Sequence, residues 1–261
     1  MKRTAVFFLV LVVLTGLTSR AQLTTIAYDG FNYSSGSLAG LDGGTGWTGS
    51  WTHDYTSGGD LDVTSTGLTY SGLNTSGGSV VWGSGGNGIS EDSRTLPLVD
   101  SGVVYFQFLS QFGSGSGGGT PNIRLYDSGT VTGGFGGNGV DVMSILNASL
   151  QTDAAASTSA SLADLNLTIV QINYQTDTTE MWVNPDLSTF NYLNPTAPDA
   201  TYADFAPVFN AIGIYSRSPG NVDEIEVAET PEPTTLSLAM LGIIAFWWKR
   251  RRQVICPSGR G

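Results

Sequence analysis

Residues 168–174 read Thr-Ile-Val-Gln-Ile-Asn-Tyr, residues 175–179 Gln-Thr-Asp-Thr-Thr, and residues 180–183 Glu-Met-Trp-Val. The flanking pieces carry β-branched and aromatic side chains, and the middle piece is polar. Two such runs joined by five polar residues predict an antiparallel β-hairpin. Within the second run Trp182 shares a face with Glu180 and Asn184, opposite Met181 and Val183, because side chains alternate along a strand. Trp182 is therefore expected to point outward.

Working outward from this hairpin, further short strands are expected at 24–28, 60–63, 68–70, 79–82, 102–108, 122–126, 140–146, 211–215 and 223–227. No long stretch repeats its apolar residues with helical period. Only residues 161–167 hint at a helical turn, with Leu162 and Leu165 three apart. Glycine occurs 35 times, and the segments 113–119, 133–139 and 154–160 read as loops. Many short strands with Gly-rich turns predict an all-β chain folded as a sandwich or jelly roll.

Both ends differ from this middle. Met1-Lys2-Arg3, an apolar run over 5–17, and Ser19-Arg20-Ala21 predict a secretory signal peptide over 1–21. At the other end stand Thr230-Pro231-Glu232-Pro233, an uncharged run over 234–248, and Lys249-Arg250-Arg251-Arg252. The prolines cannot sit inside a helix and mark an extended hinge. Residues 234–248 as a helix reach about 22 Å, against roughly 30 Å of bilayer hydrocarbon. Trp247 and Trp248, followed by four cations, fit the interface and cytoplasmic side of a single membrane helix. Residues 253–261 form a short tail with Cys256, the one cysteine.

The order Pro-Glu-Pro, apolar run, basic cluster resembles the PEP-CTERM sorting signal of Gram-negative bacteria. That resemblance assigns the sorting role to Pro231, Glu232, Pro233, Lys249, Arg250, Arg251 and Arg252 within 229–252. It implies an exosortase-type membrane enzyme as partner. It also implies passage through the inner membrane on the way to the cell surface or extracellular matrix. The tail after the basic cluster departs from the usual pattern.

Removing these ends changes the charge. The whole chain is −11, but eight of its 11 basic residues lie in the end segments. The part between them, the expected domain over 22–228 together with Glu229 and Thr230, keeps Arg94, Arg124 and Arg217 and is near −18, without lysine or cysteine. Such a charge disfavours nucleic acid and anionic lipid surfaces, and a disulfide framework is excluded. His53 is the one histidine, so a His cluster for zinc is excluded. Beside Asp54, it reads as a surface turn residue. Residues 133–139 lack the Lys-Ser/Thr of a phosphate loop.

Tyr28-Asp29-Gly30-Phe31, the segments 36–40 and 43–52, Met181-Trp182-Val183-Asn184-Pro185-Asp186 and Val222-Asp223-Glu224-Ile225-Glu226-Val227 resemble exported LamG-like, concanavalin-type jelly-roll domains. The resemblance implies that the first and last strands pair. On alternation Asp223 shares its side with Ile225 and Val227 and should point inward. An inward carboxylate needs a partner, and three arginines make a salt bridge rare. Asp29, placed beside it by the resemblance, would complete a calcium site with oxygen ligands. Capping of local backbone N–H groups is the alternative.

Two functions compete. A structural or adhesive surface protein would hold exopolysaccharide on aromatic faces. Trp47, Trp51, Trp82 and above all Trp182 are the candidates, although aromatics of a sandwich are commonly core. The rival is a secreted glycoside hydrolase or lyase of jelly-roll fold, using Glu224-x-Glu226-x-x-Glu229, with two carboxylates on one strand face. That motif sits on a chain-terminal strand, so no residue is assigned as catalytic and the domain is expected not to be an enzyme.

Overall fold

The computed structural model describes residues 23–56, 60–82, 89–112, 121–137, 141–151, 156–216 and 219–231. The expected signal peptide, the apolar run over 234–248 and the basic cluster lie outside the described residues.

Among the described residues there is no α-helix, and sixteen strands are present. They are β1 Thr24–Asp29, β2 Gly36–Ser37, β3 Thr52–Thr56, β4 Leu61–Thr64, β5 Ser79–Trp82, β6 Ser90–Val99, β7 Val103–Phe112 and β8 Asn122–Asp127. The second half gives β9 Thr130–Gly136, β10 Val142–Leu146, β11 Ser157–Ser161, β12 Asn166–Asn173, β13 Thr178–Val183, β14 Ala200–Ala203, β15 Phe209–Ser216 and β16 Gly220–Glu229. One sheet of nine strands runs β14-β13-β12-β7-β16-β5-β4-β2, with β1 also on β16. The other runs β11-β10-β9-β8-β15-β6-β3. The two inner faces meet at rings such as Phe106 of β7 and Phe135 of β9, whose centroids are 5.4 Å apart. The chain is thus an antiparallel β-sandwich.

The hairpin that opened the sequence reading is β12–β13, with Asn173 opposite Thr178 and Ile169 opposite Trp182. Its turn holds Asp177 at φ 52°, a conformation that Asp and Asn tolerate better than most residues. The helical turn expected over 161–167 is instead the end of β11, a short turn and the start of β12. Residues 68–70 form no strand.

Six strands were not expected, β2, β3, β6, β9, β11 and β14, and β11 occupies part of the segment 154–160 that was read as a loop. Two of them, β6 and β9, were hidden by composition. β6 (Ser-Glu-Asp-Ser-Arg-Thr-Leu-Pro-Leu-Val) is polar because its outward and inward acids are both partnered inside the protein. β9 runs through Gly133 and Gly134, where a loop was expected. A Cβ at Gly134 would lie 2.5 Å from the Ile123 carbonyl oxygen, so the strand approaches β8 at a distance only glycine permits.

β16 is the strand on which the larger sheet converges. It pairs with β7 along most of its length, with β5 through Asn221 and Val222, and with β1 through Ile225 to Glu229. The expected pairing of first and last strands is present, with Thr24 opposite Glu229 and Asp29 opposite Ile225. Between Asp223 and Glu226 the register with β7 slips by one residue, and Glu224 has φ 51°. This is a β-bulge. Its consequence appears at the carboxylates below.

The outer face of the nine-stranded sheet is covered. Tyr105, Leu109, Leu167, Ile169 and Trp182 form a second apolar cluster there. Leu68, Tyr70 and Leu73 from residues 65–78 pack on it, as do Leu187, Phe190 and Tyr192 from residues 184–199. Both faces of β7 and β12 are therefore dry, which is why residues 167–172 are nearly continuous in apolar character.

Candidate functional site

A cleft of about 310 Å³ opens where the end of β13 meets residues 184–199. The chain turns there because Asn184 takes φ 57°. The Asn184 Oδ1 accepts from the Leu167 amide at 2.9 Å, and its Nδ2 donates to Asn166 Oδ1 at 2.9 Å. Asp186 then closes an Asx turn, its Oδ1 accepting from the Ser188 amide and hydroxyl at 2.9 and 2.7 Å. The hydroxyl contact first, then the amide contact, holds the Asp186 carboxyl below the usual range. Asp199 fixes the return, with Oδ2 accepting from the Val183 amide at 2.8 Å.

Trp182 forms one wall of this cleft, and its environment corrects the sequence reading. The phase was right, since Met181 lies in the inter-sheet core and Trp182 in the outer cluster. The outward ring is nevertheless buried, only 2 % exposed. Phe190 packs on it edge to face, with centroids 5.6 Å apart, and its Nε1 donates to the Thr196 carbonyl at 2.9 Å. The segment 184–199 folds back over the sheet and covers the face that alternation left open. Trp51 and Trp82 are core as well, and Trp47 packs against that core. The cleft thus presents aromatic edges, the carboxylates of Asp186 and Asp199, the hydroxyl of Thr189 and, among the described residues, no basic side chain.

The proposed calcium ligands do not meet. Asp29 lies opposite Ile225, a core residue, and faces the interior. There its Oδ2 takes Arg94 Nη1 at 2.7 Å, Tyr33 hydroxyl at 2.7 Å and Trp51 Nε1 at 3.0 Å, while Oδ1 takes the Phe31 amide at 2.9 Å. The Arg94 guanidinium also lies over Trp47, 5.0 Å from the ring centroid. Asp223 lies opposite Leu109, whose side chain belongs to the outer cluster. The extra residue of the bulge reverses the alternation that placed Asp223 with Ile225. Asp223 accepts from the Leu68 amide at 2.8 Å and the Glu224 amide at 2.7 Å, which is the capping role. Burial pushes its carboxyl up to about 8, against the partial offset of those two amides.

Glu224 is buried beside it, accepting from the Tyr28 hydroxyl at 2.5 Å and from the Ser76 amide. Glu226 accepts from the Thr25 hydroxyl at 2.8 Å. Residues 65–78 are fastened to β16 by these acids at two points. Of the sorting residues only Pro231 is among the described ones.

Sequence reasoning missed two polar clusters because it missed β6. Glu91 of β6 accepts from Arg124 Nη1 at 3.0 Å and from the Tyr126 hydroxyl, and the Arg124 guanidinium sits 3.5 Å from the Tyr215 ring centroid. His53 is not in a turn but in β3, opposite the buried Asp92.

Residues 229–252 match the PEP-CTERM protein-sorting motif, which marks an exported protein. No curated protein sequence matches the chain. Among solved structures the chain is similar to the binding domain of botulinum neurotoxin serotype D, with 7% identity and TM-score 0.49, covering 84% of this chain and 51% of that one. It thus spans about half the length of that domain. It is also similar to a legume lectin-like domain from Entamoeba histolytica, with 12% identity, TM-score 0.41, and 66% and 90% covered. An alginate lyase from Corynebacterium sp. follows at 13% identity and TM-score 0.37, with 64% and 76% covered.

Proposed function

We propose that this chain is a non-catalytic envelope or extracellular-matrix protein, handed on by an exosortase, whose β-sandwich holds carbohydrate in the cleft between Trp182 and Asp199. The observation that carries the reading is the composition of that cleft. Its volume of about 310 Å³ lies at the lower end of small-ligand sites, enough for one or two sugar rings. Aromatic edges meet the apolar C–H faces of a sugar, and carboxylates and hydroxyls meet its hydroxyls. Trp182 serves as a fixed wall of the site, not as an exposed stacking platform.

The glycoside hydrolase or lyase reading is not favoured. It needs a carboxylate pair open to substrate, and Glu224 and Glu226 already hold Tyr28, Ser76 and Thr25.

Mature protein from a host with an exosortase is run through gels containing neutral or acidic polysaccharides. Asp199→Asn keeps an oxygen for the Val183 amide but loses the charge, and should weaken retention about tenfold, near 1.4 kcal/mol. Equal retention of the parent and of both Asp199→Asn and Asp186→Asn, on every polysaccharide that holds the parent, would remove the cleft from the account.

A further inference from the structure

The side-chain donors that line the cleft at the end of β13 are already engaged by the protein itself. The Trp182 Nε1 donates to the Thr196 carbonyl at 2.9 Å, and the Thr189 hydroxyl donates to the Asp186 carbonyl at 3.2 Å. The Asn184 Nδ2 donates to Asn166 Oδ1 at 2.9 Å. The two carboxylates are used on one side alone. Asp186 offers Oδ1 to Ser188, and Asp199 offers Oδ2 to the Val183 amide. Among the described residues no hydrogen bond reaches Asp186 Oδ2 or Asp199 Oδ1, and both residues are exposed. What the cleft holds out to a ligand is therefore mainly acceptors.

No cation among the described residues offsets these acids. Arg94 is paired with Asp29 inside the sandwich and Arg124 with Glu91, and Arg217 lies outside the described residues. The Ser188 hydroxyl and amide hold the Asp186 carboxyl below its usual range, so its charge persists in mildly acidic surroundings. A uronate or a sulfated sugar would bring like charge to these carboxylates, which is repulsive. An acetamido group brings a carbonyl oxygen that asks for a donor, and a hydroxyl brings one hydrogen with two lone pairs. A protonated amine brings three hydrogens, a positive charge and no lone pair. Its hydrogen bonds to a carboxylate carry charge on both partners and are the strong kind.

We propose that the cleft selects a glycan bearing free amino groups, a de-N-acetylated hexosamine polymer, with Asp186 Oδ2 and Asp199 Oδ1 receiving its ammonium groups and the Trp182–Phe190 wall meeting the sugar ring. This assignment rests on the cleft being a carbohydrate site and names the class of carbohydrate.

The test is calorimetry on the mature protein in mildly acidic buffer, with the disaccharide of glucosamine and its di-N-acetylated counterpart. The two probes share a skeleton and differ in the amine alone. The amine form should bind about tenfold more tightly or better, and Asp186→Asn and Asp199→Asn should each weaken it about tenfold. Asp100→Asn controls for bulk charge and should leave binding unchanged. Asp100 is exposed just before β7, whose Val103 pairs with Asn173 at the opposite end of β12 from the cleft. The comparison of the two sugars in the parent needs no variant, so it stands even where one fails to fold. Equal or tighter binding of the acetylated form, lost in Asp199→Asn, would overturn the amino-sugar class and leave the carbohydrate site standing. Weakening by Asp100→Asn as large as that by the cleft variants would reduce the effect to bulk charge and also overturn it. A parent that engages no saccharide at the cleft, charged or neutral, would remove the carbohydrate reading and this assignment with it.

Discussion

Asp29 and Asp223, two places apart by register on neighbouring strands, face opposite sides of the same sheet. Asp29 points into the sandwich and meets Arg94 at 2.7 Å, and Asp223 points out and caps Leu68. The bulge at Glu224 separates them. One acid is neutralised by a guanidinium and the other by backbone amides and a proton, and the two sites answer differently to substitution and to pH.

At the inner site, Arg94→Met should cost about 3–5 kcal/mol, because it leaves the Asp29 charge buried without a counter-ion. The double variant Asp29→Asn/Arg94→Met should be more stable than Arg94→Met alone, since the stranded charge is gone. Denaturant unfolding of the two proteins measures this. A double variant as unstable as the sum of its parts would show that the pair is not coupled.

At the outer site the sign of the pH effect follows from the raised carboxyl. The folded value near 8 stands above the usual 3.8, so the folded state binds the proton more tightly than the unfolded chain. Stability from this group is complete below about pH 4 and is lost as pH rises through about 8. Glu91, Asp92 and Glu224 are raised by burial too, so the contribution of Asp223 is read as parent minus variant. Asp223→Asn loses one acceptor and should be about 1 kcal/mol less stable at pH 5, with the gap closing or reversing by pH 9. A gap that widens with pH would contradict the assignment. With the Asp29 and Asp223 side chains on opposite faces, millimolar calcium should leave the melting temperature of both proteins unchanged.

Trp182→Ala should destabilise by about 3–5 kcal/mol, since the ring fills the outer cluster and its N–H holds Thr196. Thermal melting checks it. A loss under 1 kcal/mol would mean that residues 184–199 do not need the indole beneath them.

Processing is testable by mass. In a host with an exosortase the mature protein should lack residues 1–21 and end near Pro231-Glu232-Pro233. Full-length chain bearing Cys256 on the outer surface would rule this out.

The sequence disclosed strands wherever one face was apolar, as at β5 and at the β12–β13 hairpin. It concealed β6 because Glu91, Asp92 and Arg94 look like surface residues until their partners arrive from β3, β8 and β1. Alternation read the phase of Trp182 correctly but not its burial, because segment 184–199 folds over it and coverage by a loop leaves no period in the sequence. The phase of Asp223 failed for a narrower reason. A one-residue bulge shifts every side chain before it to the other face, and Glu224 in a left-handed conformation bears no mark of that.

The position of β16 bears on how such a chain can be exported. It is the last strand to emerge and the one that β1, β5 and β7 all await, with Thr25 and Glu226 joined across 201 residues. Contacts at such separation close slowly. On an export route that threads the chain unfolded, the larger sheet would be completed only after β16 has emerged, so translocation and folding would be successive steps. The sorting motif at 229–252 begins at Glu229, the last residue of β16. A handling enzyme that waits for that motif meets a chain whose final strand has just become free to close the sheet.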